Sequence, residues 1–376
     1  MKIAIDTSRY NHKQATGVEW YSWHIINGLL KELAHSKHEI TLLSPQKIKL
    51  PIEISGKVKN VKKEVVKGKR WWTLCHLSKK MKNGEFDVLF VPSHVLPLKL
   101  PKKSVIMIHD VAFMHLRDSY SLKQHLYLKW STKFAVKNAT TILVPSAATK
   151  NDLVKLFKCP IEKIKVIHHG FSKPEVTDNK IKEATKKSLL FKHFTISEKG
   201  GYMLFVGRLE TKKNLQNLLK GFALFLKNHE DYKLVLAGKP GVGFNDVLAV
   251  IKTLGIEKNV IMPGYISEVE KAMLYKYCDF FVFPSLYEGF GIPILETFYW
   301  KKPLLTSYKS SLHEIAQDGA HYIDPYDIYD IALGIEKLAV NTEYRKRLVT
   351  LGTERLKDFS WKTASKETVK VLTEEI

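Results

Sequence analysis

"CDFFVFPSLYEGFGIPILETF", residues 278–298, is the stretch on which the reading of the fold turns. Four apolar residues run without alternation, Pro284 and Ser285 end them, and Glu288 and Glu296 then flank a Gly-Phe-Gly turn. An unbroken apolar run suits a strand covered on both faces, as in a parallel sheet. Pro293 suits the first turn of a helix, where its missing N–H is not needed. Gly289 and Gly291 allow the backbone to come close to a ligand. A helix is therefore expected to start beyond the carboxyl end of a buried strand, where open α/β sheets bind their ligands. Its first N–H groups and dipole make a seat for an anion. Two carboxylates beside such a seat make little sense for phosphate alone, but suit sugar hydroxyls on either side of a diphosphate. The plainer alternative is a solvated loop acid and an ordinary helical glutamate.

The same pattern recurs along all 376 residues. Apolar strand candidates in the first half are 2–6, 39–43, 87–91, 104–109, 140–144 and 165–169. In the second half they are 202–206, 233–238, 259–263, 279–283, 303–307 and 321–324. Helical patterns such as 18–36 and 215–229 lie between them. Strand–helix alternation through both halves predicts two doubly wound, Rossmann-like parallel-sheet domains. The expected division is a first domain over 1–172, a charged linker with the first elements of the second domain over 173–200, and a second domain over 201–357. A terminal helix over 358–376, capped by Ser360, is expected to cross back to the first domain. A cleft between two such domains is a favoured place for a ligand.

Composition narrows the class. Hydrophobic residues make up 45% and charged residues 26%, and the absence of a long apolar run argues against a membrane span. The start, "MKIAIDTSRY", enters a strand directly and lacks a signal-peptide pattern, so a cytoplasmic protein is expected. Cys75, Cys159 and Cys278 have no ligand spacing and read as reduced, mostly buried thiols. The net charge of +22 is uneven: residues 1–175 hold 31 Lys and Arg against 13 Asp and Glu. Such a half is expected to meet something anionic, nucleic acid or a membrane surface, unless the lysines only solvate a face. The aromatics do not interleave with those lysines in a nucleic-acid-binding pattern, so nucleic acid is not assigned as a partner.

Other candidates stand at strand ends. "FVGRLETKKNL" (205–215) places Gly207, Arg208, Lys212 and Lys213 between a strand and a helix. A guanidinium fork and an ammonium together suit a diphosphate leaving group. Lysines at a helix start also oppose its dipole, a local conflict of the kind that marks sites. His109 and Asp110 end the strand at 104–109, and Gly17 precedes the first long helix. His168, His169 and Gly170 read as a turn at the domain edge. There is no Gly-x-Gly-x-x-Gly after the first strand and no phosphate loop ending in Gly-Lys-Ser or Gly-Lys-Thr. No Asp-x-Asp pair ends a strand to hold a divalent metal, so no metal ligand is assigned.

In order along the chain, "TGVEWY", "IHDVAF", "LVPSAATKNDL", "VIHHG", "VGRLETKKNL", "PSLYEGFGIPILETF" and "SSLHEIAQDGAHYIDP" resemble a family 4 glycosyltransferase of the GT-B fold, over nearly the full length. "IHDVAF" and "YLKWSTKFA" (127–135) look most like bacterial mannosyltransferases of polysaccharide synthesis. "VIHHG" departs from the many relatives that carry Asn before this glycine. The resemblance implies a retaining, metal-independent hexosyltransferase with no cofactor beyond its substrate sugar nucleotide. GDP-mannose is the favoured donor; UDP-glucose or UDP-N-acetylglucosamine is the alternative, as is another GT-B enzyme such as an epimerase or a starch or glycogen synthase. It implies that Glu296 binds the donor ribose, that Glu288 contacts the transferred hexose, and that Arg208 and Lys213 hold the diphosphate. Phe290, Gly291 and Ile292 would add backbone N–H groups. His109 would meet the sugar, Gly17 would let the first loop approach donor and acceptor, and Gly207 would belong to the donor-binding set. The acceptor would be a glycan or a lipid-linked glycan.

That acceptor makes an anionic membrane an expected partner. The segment 57–82 sets Trp71 and Trp72 among many lysines. From Trp71 onward it could form an amphipathic helix, with Leu74, Leu77 and Met81 opposite Lys79, Lys80 and Lys82. The rival reading packs this stripe and both tryptophans into the first domain.

Overall fold

A computed structural model describes residues 1–10, 17–51, 54, 60–68, 71–187 and 201–374. The chain forms two compact units: Met1–Gly170 together with Phe359–Ile376, and Phe171–Asp358.

The first unit is built on a seven-stranded parallel sheet ordered β3-β2-β1-β4-β5-β6-β7. Its strands are β1 (Lys2–Asp6), β2 (Glu39–Ser44), β3 (Val61–Val65), β4 (Val88–Val91), β5 (Lys103–Met107), β6 (Thr141–Val144) and β7 (Ile164–Val166). Chain order reverses between β1 and β4, which makes that junction the topological switch point. Central strands such as β4 are buried throughout, as their unbroken apolar runs require. β3 is the exception and escapes the sequence pattern: its VKKEV is largely exposed. It is an edge strand, where lysines discourage further pairing.

The helix Gly17–Glu32 covers this sheet through Tyr21, Ile25, Ile26, Leu29 and Leu30. The last helix, Trp361–Thr373, packs on it and is part of the first unit. Gly28 permits the close approach, since a Cβ there would fall 1.9 Å from Ser365 Oγ. Ser360 caps that last helix by accepting from the Thr363 N–H.

The second unit carries a six-stranded parallel sheet ordered β10-β9-β8-β11-β12-β13. The strands are β8 (Tyr202–Val206), β9 (Lys233–Ala237), β10 (Val260–Gly264), β11 (Phe280–Phe283), β12 (Leu304–Ser307) and β13 (His321–Ile323). The switch point falls between β8 and β11. The helix Asp178–Lys187, in the stretch read as a linker, packs on the helix Glu268–Tyr277 through Ile181, Ala272 and Met273. Residues 188–200 of that stretch lie outside the described residues.

In the segment 57–82 the helix expected from Trp71 onward is present over Trp72–Lys82, beginning as a π-helix. Residues 57–59, 69 and 70 lie outside the described residues, and the rest is strand β3, a π-helical stretch Trp72–Leu77 and a short helix Ser78–Lys82. Trp72, Leu77 and Met81 are buried, whereas Trp71 is 62% exposed. Lys80 is held by Glu64 and Glu85 at 3.0 and 2.7 Å. The packed reading thus describes one tryptophan and not the other. Of the three thiols, Cys159 and Cys278 are buried and Cys75 is exposed. No described helix is long and apolar enough to cross a membrane.

Candidate active site

At the β8/β11 switch point of the second unit, the loop 284–291 leads from β11 into the helix Ile292–Tyr299. Gly291 sits at its N-cap with φ 101°, a conformation only glycine adopts without strain. A Cβ there would also press on Ile294 and Leu312, at 3.1 and 3.3 Å. Pro293 lies in the first turn, and Phe290 is buried beneath the loop. Two serines after β12 fix the loop: the Glu288 N–H donates to Ser310 Oγ at 2.7 Å. The Ser311 hydroxyl contacts the carbonyls of Glu288 and Phe290, at 2.9 and 3.0 Å. The serines belong to "SSLHEIAQDGAHYIDP", but nothing in the sequence said which loop they would hold.

After β8, the chain runs through Gly207 and the exposed Arg208 into a 3-10 turn, Thr211–Lys213. Asn214 follows with φ 59°, its amide bonded to the Pro325 carbonyl at 2.6 Å, and the helix Leu215–Leu226 begins beyond it. The expected conflict of lysines with a helix dipole is offset at Lys213, one residue before the N-cap Asn214, by a carboxylate partner. The two lysines part company. Lys212 pairs with Glu210 at 3.4 Å, whereas Lys213 is buried, donates to Glu288 Oε1 and lies 5.2 Å above the Phe283 ring. The Leu286 N–H donates to the Lys212 carbonyl at 2.9 Å, which binds the two loops together.

Glu296 has partners that sequence reading missed. Lys271 Nζ donates to its Oε1 at 2.7 Å, and the Tyr275 hydroxyl to its Oε2 at 3.2 Å. Both donors lie on Glu268–Tyr277, four residues apart and so on one face. Burial pulls the Lys271 ammonium down, but Glu296 and Glu268 more than offset it and hold its pKa above the ordinary lysine range. Only the i, i+4 spacing of Lys271 and Tyr275 could have drawn notice, and it does not say what they face.

Gly17 and His109 belong to the first unit. Gly17 opens its helix, and a Cβ there would meet nothing within 4 Å, so packing does not demand glycine. The loop 11–16 before it lies outside the described residues. His109 follows β5 and is buried; its Nε2 lies 3.0 Å from the Pro92 carbonyl. A carbonyl can only accept, so Nε2 carries the proton and Nδ1 is left as an acceptor. Burial, with a smaller push from His94, lowers the His109 pKa to about 3, so the ring is neutral.

Three further groups share this end of the first sheet. β7 stops at Val166, so His168 and His169 lie beyond the strand expected there. His169 is buried, with ring centroids 5.5 Å from His109, 4.7 Å from Tyr21 and 5.9 Å from Trp361. Burial lowers its pKa well below the usual histidine value. Asp6, at the end of β1, is fully buried; it accepts from the Ser8 N–H at 2.8 Å, and burial raises its pKa to about 6. A titratable residue closing an apolar strand is the signal that singled out His109, and it would have found Asp6 too.

Known proteins bear on both units. Residues 157–355 match the family described as glycosyl transferases group 1, and residues 17–172 match Glycosyltransferase Family 4. The chain belongs to the group 1 glycosyl transferases. It is 27% identical to O-antigen chain mannosyltransferase B of Escherichia coli, over 74% of this chain and 72% of that protein. Sucrose-phosphate synthase from Thermosynechococcus elongatus superposes with a TM-score of 0.73 at 15% identity, covering 99% of this chain and 98% of that one. Anabaena HepE in complex with UDP and glucose gives 0.70 at 16% identity, with all of both chains covered. The two parallel sheets with their helices have the GT-B fold.

Proposed function

We propose that this glycosyltransferase moves a hexose with retention from a sugar nucleotide, favoured as GDP-mannose, to a glycan or lipid-linked acceptor. The observation that carries this reading is the matched set of charges at the β8/β11 switch point: Lys213 on Glu288, Lys271 on Glu296, with Arg208 exposed just after β8. The name of the Escherichia coli relative supports mannose as the sugar.

Negative charge grows on the departing diphosphate, and fixed donors aimed at it lower the barrier. Lys213 has three N–H donors, one of them directed at Glu288, which orients the others. Arg208 adds a planar fork, and Phe290, Gly291 and Ile292 add backbone N–H groups at a helix start. Glu296, held by Lys271 and Tyr275, takes the ribose hydroxyls, and Glu288 takes a hydroxyl of the hexose. His109 offers neutral Nδ1 to a sugar hydroxyl. Metal independence belongs to the same proposal, with two cations and the helix start matching the diphosphate charge.

The protein is incubated with GDP-mannose, UDP-glucose or UDP-N-acetylglucosamine, with and without glycan acceptor. The expected result is nucleotide release only with acceptor, fastest from GDP-mannose, unchanged by a chelator, and a product with the donor's anomeric configuration. Nucleotide release with epimerised free sugar and no acceptor overturns the transferase reading.

A further inference from the structure

The helix Leu122–Asn138 begins with a complete capping box between Ser121 and Gln124, so its first turns are fixed locally. Those turns pack on little. From Leu122 to Trp130 no residue is buried; the buried face starts at Ser131 and continues through Thr132, Ala135 and Val136. Leu122, Leu126 and Trp130 are 59%, 56% and 43% exposed, and their i, i+4, i+8 spacing sets them in one stripe. Tyr127 and Trp71 widen it, with Trp71 against Tyr127 at 6.2 Å and Tyr127 against Trp130 at 6.1 Å between ring centroids. A continuous exposed apolar strip of this kind marks an interaction surface.

Its charge identifies the occupant. The helix carries Lys123, Lys129, Lys133 and Lys137 and no acid. Arg117 and Asp118 before it cancel. Among the described residues no carboxylate pairs with those lysines. Leucines with Trp and Tyr on one side and lysines around them fit the boundary between acyl chains and anionic head groups. Nucleic acid would use the rings and the lysines but would leave Leu122 and Leu126 in water.

We propose that this face, with Trp71 beside it, docks the first unit on an anionic lipid bilayer. The contact lies on Leu122–Asn138 with Trp71, and not on the helix 72–82, whose Leu77 and Met81 face the core and whose Lys80 is held by two acids. The proposal is independent of the transferase reading, since binding needs neither donor nor acceptor.

The full chain is sedimented with vesicles of phosphatidylcholine alone or mixed equally with phosphatidylglycerol, at low and high salt. Binding is expected only to the mixed vesicles, weakened by salt. Leu122→Ser with Leu126→Ser and Trp130→Ser lowers it by at least tenfold. Each of Lys123→Gln, Lys129→Gln and Lys133→Gln lowers it roughly fivefold. Lys79→Gln with Lys82→Gln leaves it nearly unchanged. These side chains are largely exposed, so unchanged circular dichroism separates lost binding from misfolding. No binding at low salt, or undiminished binding by the triple serine variant, overturns the proposal. So does a dimer that the triple variant disperses when neither protein binds vesicles, which would make the face an interface between two copies of this chain.

Discussion

The carboxyl ends of the two sheets handle ionisable groups in opposite ways. In the first unit His109, His169 and Asp6 are buried deeply enough that burial pushes each towards its neutral form. In the second unit Lys213 is buried and Lys271 is partly buried, and each stands on a glutamate. A buried charge is tolerated when an opposite charge compensates its desolvation, and otherwise the group neutralises. The lesson is chemical: the neutral end suits hydroxyl groups, whereas the paired end holds the cations that the proposed diphosphate contact calls for.

The largest effect expected from this contrast is acid lability of the first unit. With a folded pKa of about 3 against an ordinary 6.5, His109 binds its proton less readily in the native state. Its contribution is complete above pH 6.5 and is lost as pH falls towards 3, up to ~5 kcal/mol. His169 adds loss in the same direction. Asp6 opposes them: with its folded pKa raised to about 6, the native state gains up to ~3 kcal/mol as pH falls from 6 towards 4. Hydrogen exchange of first-unit amides from pH 7 to 4 should show earlier opening, flattened in His109→Gln. The same acid sensitivity in His109→Gln as in the parent would break the comparison.

Next is the second unit's pairing. Lys213→Met leaves the Glu288 carboxylate secluded and unpaired, an expected loss of ~3–5 kcal/mol. Adding Glu288→Gln should restore most of it. Urea unfolding followed in the second unit measures both, and additive losses would show that the pair is not coupled.

Arg208 is exposed, so its removal tests function apart from folding. Arg208→Ala should lower turnover ~10²-fold or more with melting temperature unchanged. Near-normal turnover in the purified variant would remove its role on the leaving group.

The smallest effect concerns the ribose. Glu296→Ala should weaken binding of free GDP or UDP roughly tenfold, about 1.4 kcal/mol, because that contact does not involve the transferred hexose. Lys271→Met should produce a smaller loss that Lys271→Arg recovers. Calorimetry with the bare nucleotide decides, and an unchanged dissociation constant for Glu296→Ala would contradict the assignment.

Much of this protein was legible in the chain. Unbroken apolar runs such as FFVF in β11 determined the parallel sheets, because only a strand covered on both faces tolerates them. Local chemistry determined the start of Ile292–Tyr299, since Gly291 and Pro293 each suit one place near a helix N-terminus. The edge strand β3 was hidden because its lysines answer to its position at the sheet margin. Partners came from tertiary structure alone. Lys213 and Glu288 are 75 residues apart and Lys271 and Glu296 are 25 apart, and no periodicity pairs side chains across such distances. Burial was decided in the same way. His109 and His169 are neutral, and Trp72 is covered while Trp71 is not, because of what packs over them from elsewhere in the chain.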